Sequence, residues 1–320
     1  MASTQAVTLI ETIGVASCLG GSQDSCDIAP YVIRASPFQQ LLTDNNLALH
    51  WQQIVAPAYD APNSLPCLAR ISKEIACLTY KHTLEHFSGH STGEQTGKPF
   101  LLLSGDHSSA IGTWCGVMSA LAHSDKKLKT LGLIWLDAHL DAHTLETSPS
   151  GNLHGMPLSV LLGKADKKLQ ATYPDAALEQ HTGCGHLSGN NLSLLGVRSY
   201  EAEELALLGQ VNAKIYSMDA LQNNSAPEQW LNHIAKDLLT RCDVIGISLD
   251  MDAINPEDAP AVETPEEHGI SGALLIAMLK QFSCREKLVG FEISEFNPVN
   301  DINHRTEKLL MQIICAMFDK

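Results

Sequence analysis

The chain has 320 residues, of which 44% are hydrophobic and 18% are charged, a composition that excludes a disordered chain. The net charge is −15, from 36 acidic and 21 basic residues, and no basic cluster is present, which excludes the electrostatic footprint of a nucleic-acid-binding protein. An acidic surface instead favours small cationic ligands.

The sequence also bears on the compartment in which the protein works. The N-terminus lacks the basic start and long apolar core of a signal peptide, and no apolar run approaches the ~20 residues of a membrane helix. The nine cysteines are scattered and never form a Cys-x-x-Cys motif. We therefore expect a cytoplasmic protein with reduced cysteines and no membrane partner.

Short apolar runs alternate with helix-like segments along the chain. The runs are continuous rather than alternating in polarity, as in buried parallel strands, and lie at residues 99–104, 131–137, 192–198, 243–250 and 287–294. Helix-like segments are found at residues 108–123, 201–209, 226–240 and 271–282. This alternation predicts a three-layer α/β/α fold with a mostly parallel central sheet, which we expect residues 1–320 to form as a single domain.

Acidic motifs follow four of these runs at the points where the predicted strands end. They read "SGDHS", "DAHLDAH", "DMDAINPEDAP" and "SEFNP" in chain order. In an open parallel sheet, ligands bind at the carboxyl edge of the strands. The sequence therefore predicts that aspartate and histidine side chains from four strands meet in one crevice.

The residue types in that crevice indicate metal chemistry. Asp250 and Asp252 lie two residues apart, on one side of a buried strand, and would repel each other without a positive charge between them. Asp137, His139 and Asp141 repeat this spacing on another strand, and His107 adds a second imidazole. Four carboxylates and two imidazoles suit two hard divalent cations, and this oxygen-rich set favours manganese over zinc or copper.

Five motifs together resemble the ureohydrolases, the family that contains arginase and agmatinase. They are "GDHS" (105–108), "DAHLD" (137–141), "SGNLHG" (150–155), "SLDMDAINPEDAPA" (248–261) and "EISEFNP" (292–298). The resemblance implies an arginase-like fold and a hydrolase of a cationic guanidino substrate with two Mn²⁺ per chain. It favours the conversion of L-arginine and water to L-ornithine and urea. It also implies a homo-oligomer, commonly a trimer or hexamer.

The resemblance implies a ligand set for each ion. One ion would be held by His107, Asp137, Asp141 and Asp250. The other would be held by His139, Asp137, Asp250 and Asp252, so that Asp137 and Asp250 bridge the two.

The same resemblance implies three catalytic roles. Metal binding would supply a nucleophilic water at neutral pH, which Asp141 would orient through a hydrogen bond. Glu295 would bind the guanidinium group, which stays cationic at neutral pH. His154 would carry the proton to the departing amine, because imidazole titrates in the required range.

The substrate contacts follow less closely from the family pattern. Ser150 and Asn152 fall where arginases hold the substrate carboxylate, and His143 replaces an asparagine that contacts the same group. Glu201 falls near the aspartate that serves the α-amino group, and Thr264 is assigned to the same substrate side.

Several positions depart from the arginase pattern, and they leave the substrate open. Ser104 and Glu263 each replace a glycine, and Ser199-Tyr200-Glu201 replaces a segment with two aspartates. The alternatives are another ureohydrolase, acting on agmatine, a guanidino acid or formiminoglutamate, and a non-catalytic arginase-like protein. A zinc deacetylase-like hydrolase with one ion is a further rival.

Two other motifs are interpreted as coincidental. "HTLEH" (82–86) matches an inverted zinc-protease pattern but lacks a third-ligand motif. "GHSTG" (89–93) matches a serine-hydrolase elbow, which requires a strand before it and a helix after it. A helix-like segment precedes this one, so we expect neither motif to form a site.

Overall fold

A computed structural model of the chain describes residues 6–22, 25–58, 64–87, 98–123, 129–174 and 185–319. Within these residues the strands are β1 (Thr8–Val15), β2 (Leu47–Val55), β3 (Phe100–Ser104), β4 (Leu131–Leu136), β5 (Leu192–Val197), β6 (Lys214–Ser217), β7 (Val244–Asp250) and β8 (Leu288–Ser294). The helices are α1 (Ala29–Arg34), α2 (Gln39–Asp44), α3 (Leu65–Phe87), α4 (Ala110–His123), α5 (Pro157–Leu161), α6 (Lys167–Gln170), α7 (Ala202–Gln210), α8 (Met218–Gln222), α9 (Trp230–Leu238), α10 (Gly272–Lys280) and α11 (Arg305–Phe318). None of these helices is long and apolar enough to cross a bilayer.

The described strands form one parallel sheet in the order β2-β1-β3-β8-β7-β4-β5-β6. The predicted α/β fold is therefore confirmed, and the five predicted strands correspond to β3, β4, β5, β7 and β8. β1, β2 and β6 were not predicted. β2 has a mixed burial pattern and β6 has only four residues, so neither edge strand carries the continuous apolar run of a central strand.

Helices cover both faces of the sheet. Successive residues of β3 point to opposite sides, with Leu101 and Leu103 in one core and Phe100 and Leu102 in the other. The first core packs against α1, α2 and α8–α11, and the second packs against α3–α7. This double burial explains why the central strands are apolar throughout.

The four central strands position the acidic motifs. β3, β8, β7 and β4 are neighbours in the sheet, and they are the strands that precede the four motifs. Their carboxyl ends meet at one edge, as the sequence predicted. Short 3-10 helices, His107–Ser109 after β3 and Met251–Ala253 after β7, begin directly at this edge.

Candidate metal centre and active site

His107 lies at the centre of the crevice and is 1% exposed. It begins the 3-10 helix after β3, whose N-cap Asp106 accepts a hydrogen bond from the Ser108 amide. Its ring stacks on the indole of Trp135, with the ring centroids 4.1 Å apart. The imidazole therefore has one orientation, fixed from both the helix and the sheet.

The Nδ1 atom of His107 faces three carboxylates from two other strands. It lies 3.3 Å from Asp137 Oδ2, 3.1 Å from Asp141 Oδ2 and 3.1 Å from Asp250 Oδ2. These contacts have ion-pair distances but lack the alignment of hydrogen bonds, since His107 Nδ1 and Asp141 Oδ2 have no hydrogen-bond partner among the described residues.

The other ring nitrogen of His107 joins a buried chain of hydrogen bonds. His107 Nε2 lies 2.9 Å from the Ser248 hydroxyl, which donates its proton to Glu292 Oε2 at 2.8 Å. Because that proton is used, the imidazole must be the donor in the first of these bonds. The neutral ring then carries its proton on Nε2 and presents the lone pair of Nδ1 to the carboxylates.

Glu292 anchors this chain and is 0% exposed. It also accepts from Trp114 Nε1 at 2.8 Å and from the hydroxyls of Ser109 and Thr113, each at 2.9 Å. A side chain at Gly246 would meet the Trp114 ring at 2.2 Å, so the glycine allows Trp114 to reach Glu292. Four donors thus fix a buried carboxylate behind His107 and its candidate metal site.

A cation fits the space in front of His107 on the chemistry of these groups. A lone pair and three carboxylates that converge in a buried site repel one another unless a proton or a metal ion lies between them. Burial favours the neutral ring, but the three carboxylates raise the pKa of His107 well above its ordinary value. Burial and the charge of Asp137 raise the pKa of Asp141 to about 8, so these groups compete for protons when no metal ion is bound.

His139 forms a second group on the cavity side of the first. Its Nδ1 lies 3.1 Å from Asp252 Oδ2 and 3.4 Å from Asp137 Oδ1. Asp137 therefore contacts His107 through one oxygen and His139 through the other. Thr264 donates its hydroxyl proton to Asp252 Oδ2 at 3.1 Å, which orients that carboxylate.

The structure thus brings all six predicted metal ligands into two overlapping groups. Within each group the candidate ligand atoms lie within 4.8 Å of one another, and the groups are His107, Asp137, Asp141 and Asp250, and Asp137, His139 and Asp252. Asp137 belongs to both groups. Asp250 belongs to the first group only, so its predicted bridging role stays a prediction.

A sharp turn gathers the ligands of the "DAHLD" motif. Asp141 has a φ of 49°, in the left-handed region that residues other than glycine rarely adopt. The Ala142 amide, directly after the turn, donates to Glu204 Oε1 at 3.0 Å. The reversal lets Asp137 and Asp141 reach the same imidazole.

His154 and Glu295 form a pair beside the His107 group. Glu295 Oε1 accepts from the His107 amide at 2.7 Å and lies 3.1 Å from His154 Nδ1. Burial alone would lower the pKa of His154, but the Glu295 carboxylate raises it to about 10. His154 is therefore positioned to hold a proton at neutral pH.

The predicted guanidinium ligand lies deeper than the cavity. A cavity of about 240 Å³ lies over the centre and is lined by His139, Asp141, His143, Ser150, Asn152, His154, Glu201, Asp250, Asp252 and Thr264, among others. Glu295 is not among its lining residues, and its buried Oε2 has no hydrogen-bond partner in the described part of the chain. That oxygen can therefore accept a hydrogen bond from a further donor.

The outer end of the cavity holds a further histidine–carboxylate group. His143 Nε2 lies 3.0 Å from Glu201 Oε2 and 3.3 Å from Glu204 Oε2. Glu201 also begins α7 as its N-cap, in a capping box with Glu204. Sequence reasoning missed Glu204, although an acid three residues after a helix N-cap is the signal of a capping box. Ser150, which is exposed, and Asn152, which is half-buried, line the cavity nearby.

Three of the positions that depart from the arginase pattern make polar contacts with segments around this centre. The Ser104 hydroxyl donates to the Asp106 carbonyl at 2.8 Å. Ser199 donates to Glu266 Oε1 at 3.1 Å. Glu263 is buried and accepts from the Ser22 hydroxyl at 2.9 Å. These three departures change polar contacts around the centre and leave the six candidate ligands in place.

The zinc-protease-like motif lies on α3, away from this centre. His82 Nε2 and His86 Nδ1 each lie 3.1 Å from the Lys98 carbonyl oxygen. Both rings thus contact one backbone acceptor instead of sharing a metal position. The "GHSTG" motif (89–93) lies outside the described residues.

Comparisons with known proteins show which family the chain resembles. The Arginase family model matches residues 10–319. The arginase of Bacillus subtilis is 35% identical over 223 residues, which are 69% of each chain. The arginase of Bacillus caldovelox is 33% identical over 228 residues, which are 70% of each chain.

Solved structures show the same similarity over almost the whole chain. The native arginase structure from Bacillus caldovelox has a TM-score of 0.81 at 26% identity and covers 97% of this chain and 98% of its own. The arginase from Bacillus cereus has a TM-score of 0.80 at 26% identity and covers 98% of each chain. A formimidoylglutamase from Bacillus subtilis, at 20% identity and a TM-score of 0.70, shares the fold.

Proposed function

The chain belongs to the arginase family, and we propose that it uses two Mn²⁺ ions to hydrolyse L-arginine to L-ornithine and urea. As a member of this family it is a hydrolase that acts on the C–N bonds of linear amidines. The observation that carries the proposal is the pair of overlapping ligand groups that share Asp137. A single metal ion would leave one of the two groups of buried charges uncompensated.

The donor set supports manganese as the metal. Asp137, Asp141, Asp250 and Asp252 offer carboxylate oxygens, and His107 and His139 each offer one nitrogen. Hard divalent ions prefer such oxygen-rich sets, whereas zinc and copper favour more nitrogen or sulfur.

The reaction needs a nucleophile at neutral pH and a proton for the leaving amine. The six candidate ligands would hold two divalent ions, and metal binding would supply the first by lowering the pKa of water. Asp141 lines the cavity and can accept a hydrogen bond from the attacking water, which orients it. His154 lines the same cavity, and the carboxylate of Glu295 favours its protonated form, so it can donate to the departing nitrogen. The buried Oε2 of Glu295 can accept a guanidinium N–H.

The far end of the cavity suits the amino-acid end of the substrate. Ser150 and Asn152 can bind a carboxylate, because they offer hydroxyl and amide donors. His143 lines the same end of the cavity, and its Nε2 would have to leave Glu201 to join them. Glu201 and Glu204 offer acceptors for an ammonium group. We extend the proposal to a homo-oligomer, a trimer or hexamer, of single-domain chains that works in the cytoplasm.

The test is product release from a substrate panel by manganese-loaded protein. Arginine should release urea with the highest kcat/KM, and agmatine should be a poor substrate because it lacks the carboxylate that the polar rim would pair. Formiminoglutamate, which would release formamide, should also be poor. If agmatine, a guanidino acid or formiminoglutamate were turned over with a higher kcat/KM than arginine, that compound would be assigned as the substrate instead. No turnover of the whole panel would favour a non-catalytic relative.

A pair of variants locates the amino-acid end of the pocket. Glu201→Ala should raise KM for arginine by roughly 10–100-fold, which corresponds to a lost charge-assisted hydrogen bond of ~1.5–3 kcal/mol. Glu203→Ala is the matched control, because Glu203 is exposed on the first turn of α7 and does not line the cavity. Equal KM values for the two variants would remove Glu201 from the pocket.

A further inference from the structure

The outer nitrogen of His139 is directed at a carboxylate that no part of the proposed chemistry uses. Because Nδ1 faces Asp137 and Asp252, the ring turns Nε2 away from the centre. The nearest ion-pair partner of Nε2 is Glu266 Oε1, at 3.7 Å. This separation is too long for a direct hydrogen bond but suits an ion pair or a bridging water.

The Glu266 carboxylate is held from a second direction. Ser199, just after β5, donates its hydroxyl proton to the same oxygen, Glu266 Oε1, at 3.1 Å. The side chain of Glu266 is 39% exposed, so without such a bond it would be free to turn into solvent. The serine favours the rotamer that faces His139.

The backbone beneath Glu266 is tied to the ligand loop by one arginine. Arg198 Nη2 donates to the carbonyl oxygens of Asp252 and Glu266, each at 2.7 Å. Arg198 Nε donates to the carbonyl oxygen of Glu267 at 2.8 Å. Asp252 and Glu266 are therefore held at a fixed separation on opposite sides of the His139 ring.

We propose that Glu266 is a positioning residue. It holds the His139 ring through the ring's Nε2 atom, and so sets the affinity of the metal ion that would bind among Asp137, His139 and Asp252, here called the outer ion. A histidine that binds a metal normally donates its other ring N–H to a carboxylate, carbonyl or water, which fixes the ring and makes it a stronger ligand. The inference rests on the proposed function to the extent that an ion binds among Asp137, His139 and Asp252.

The test is Mn²⁺ binding, measured by titration with free Mn²⁺ counted by electron paramagnetic resonance. Loss of an outer partner typically weakens metal binding by about 10–100-fold, and Glu266 is partly exposed, so Glu266→Gln should weaken one of two ions by about tenfold. The other ion should bind as in the unaltered protein. Glu267→Gln is the matched control, because it removes the same charge from the exposed neighbouring residue and keeps the backbone carbonyl that Arg198 binds.

A double variant tests whether Glu266 acts through His139. In a His139→Ala background, Glu266→Gln should cause no further loss of Mn²⁺ affinity, because the ring that it positions is gone. Additive losses, equal losses in Glu266→Gln and Glu267→Gln, or unchanged affinity in Glu266→Gln would each overturn the inference.

Urea release by the unaltered protein in the same series separates this inference from the proposed function. Two ions bound and urea formed, with no change in Glu266→Gln, would overturn the role of Glu266 alone. Two ions bound without urea from arginine would overturn the proposed substrate, and a tenfold loss in Glu266→Gln would still support the role of Glu266. Saturation at one ion would overturn both.

Discussion

His107 and His139 both present Nδ1 to the shared carboxylate Asp137, but their surroundings differ. We call His107 with its carboxylates the inner half of the centre, and His139 with Asp252 the outer half. The His107 side chain is 1% exposed, and its Nε2 atom is linked through Ser248 to the fully buried Glu292. The His139 side chain is 25% exposed, and its outer nitrogen faces the half-exposed Glu266.

The difference concerns what holds each ligand in place. The inner ring is fixed by a hydrogen-bonded network that belongs to the core of the protein, so its geometry depends on the folding of the whole sheet. The outer ring lies between the Asp252 segment and the Glu266 loop, which Arg198 joins through their carbonyl oxygens. We therefore expect the inner ion to bind more tightly and the outer ion to exchange more readily.

The largest effect should come from Asp137, which both halves share. Asp137→Ala removes one ligand from each ion and leaves neighbouring buried charges uncompensated. Activity should fall by about 10³-fold or more, because mutation of a residue that only supports a metal ligand already lowers metal affinity or activity by about 10–100-fold. Added Mn²⁺ should not restore it. Recovery of activity at millimolar Mn²⁺ would show that the two halves are independent.

Removing each imidazole in turn tests whether the two halves differ. His139→Ala should weaken the outer ion and regain much of its activity when Mn²⁺ is added, because the inner half stays intact. His107→Ala should respond far less, because it leaves converging carboxylates in a fully buried site. The measurement is kcat as a function of Mn²⁺ concentration. Identical rescue of both variants would argue against two different halves.

Glu292 and Glu266, the carboxylates behind the Nε2 atoms of His107 and His139, should differ in their contribution to the free energy of unfolding. Glu292→Gln places an NH₂ group against two donors and should lower the free energy of unfolding by roughly 2–4 kcal/mol, in addition to weakening the inner ion. Glu266→Gln should leave stability within about 0.5 kcal/mol, because the residue is at the surface. Chemical denaturation of metal-free protein checks both values. Equal losses would contradict the assignment of Glu292 to the core network.

The smallest expected effect concerns the pH dependence of kcat, which depends on the acidic residues around His154. The carboxylate of Glu295, followed by the charge of Glu263, raises the pKa of His154 to about 10 against the effect of burial. A proton donor must be protonated, so kcat should fall as pH rises through this pKa. Glu263→Gln removes part of the charge and should move the basic limb to lower pH by roughly half a unit to one unit.

Glu266→Gln is the control for that profile, because Glu266 is not among the main causes of the raised pKa of His154. Its basic limb should stay where it is in the unaltered enzyme. A basic limb that stays fixed in Glu263→Gln would mean that another group limits the rate at high pH.

Much of the fold and of the inner shell of the site could be predicted from the sequence. Central strands such as β4 and β7 are buried on both faces, so their continuous apolar runs are distinctive. Asp137 and Asp250 stand at the ends of such runs, where a buried carboxylate needs a cation. The edge strands β2 and β6 are partly exposed and lose this pattern.

The supporting residues could be predicted only in part. Glu292 is a charged residue within the apolar strand β8, and that alone signals a buried partner, although sequence reasoning did not use it. Glu266 carries no such signal, because it is a loop glutamate followed by another glutamate. Its position near His139 depends on the loop conformation that Arg198 stabilises through the Glu266 carbonyl, which only the three-dimensional structure shows.

The measurement that tests the two-ion centre most directly is the number of Mn²⁺ ions bound per chain at saturation. Equilibrium dialysis followed by elemental analysis should give two ions per chain, and the titration should resolve a tighter and a weaker site. His139→Ala should then lose the weaker ion first and keep the tighter one. A saturating value near one ion per chain would contradict the two-ion centre and, with it, the proposed mechanism.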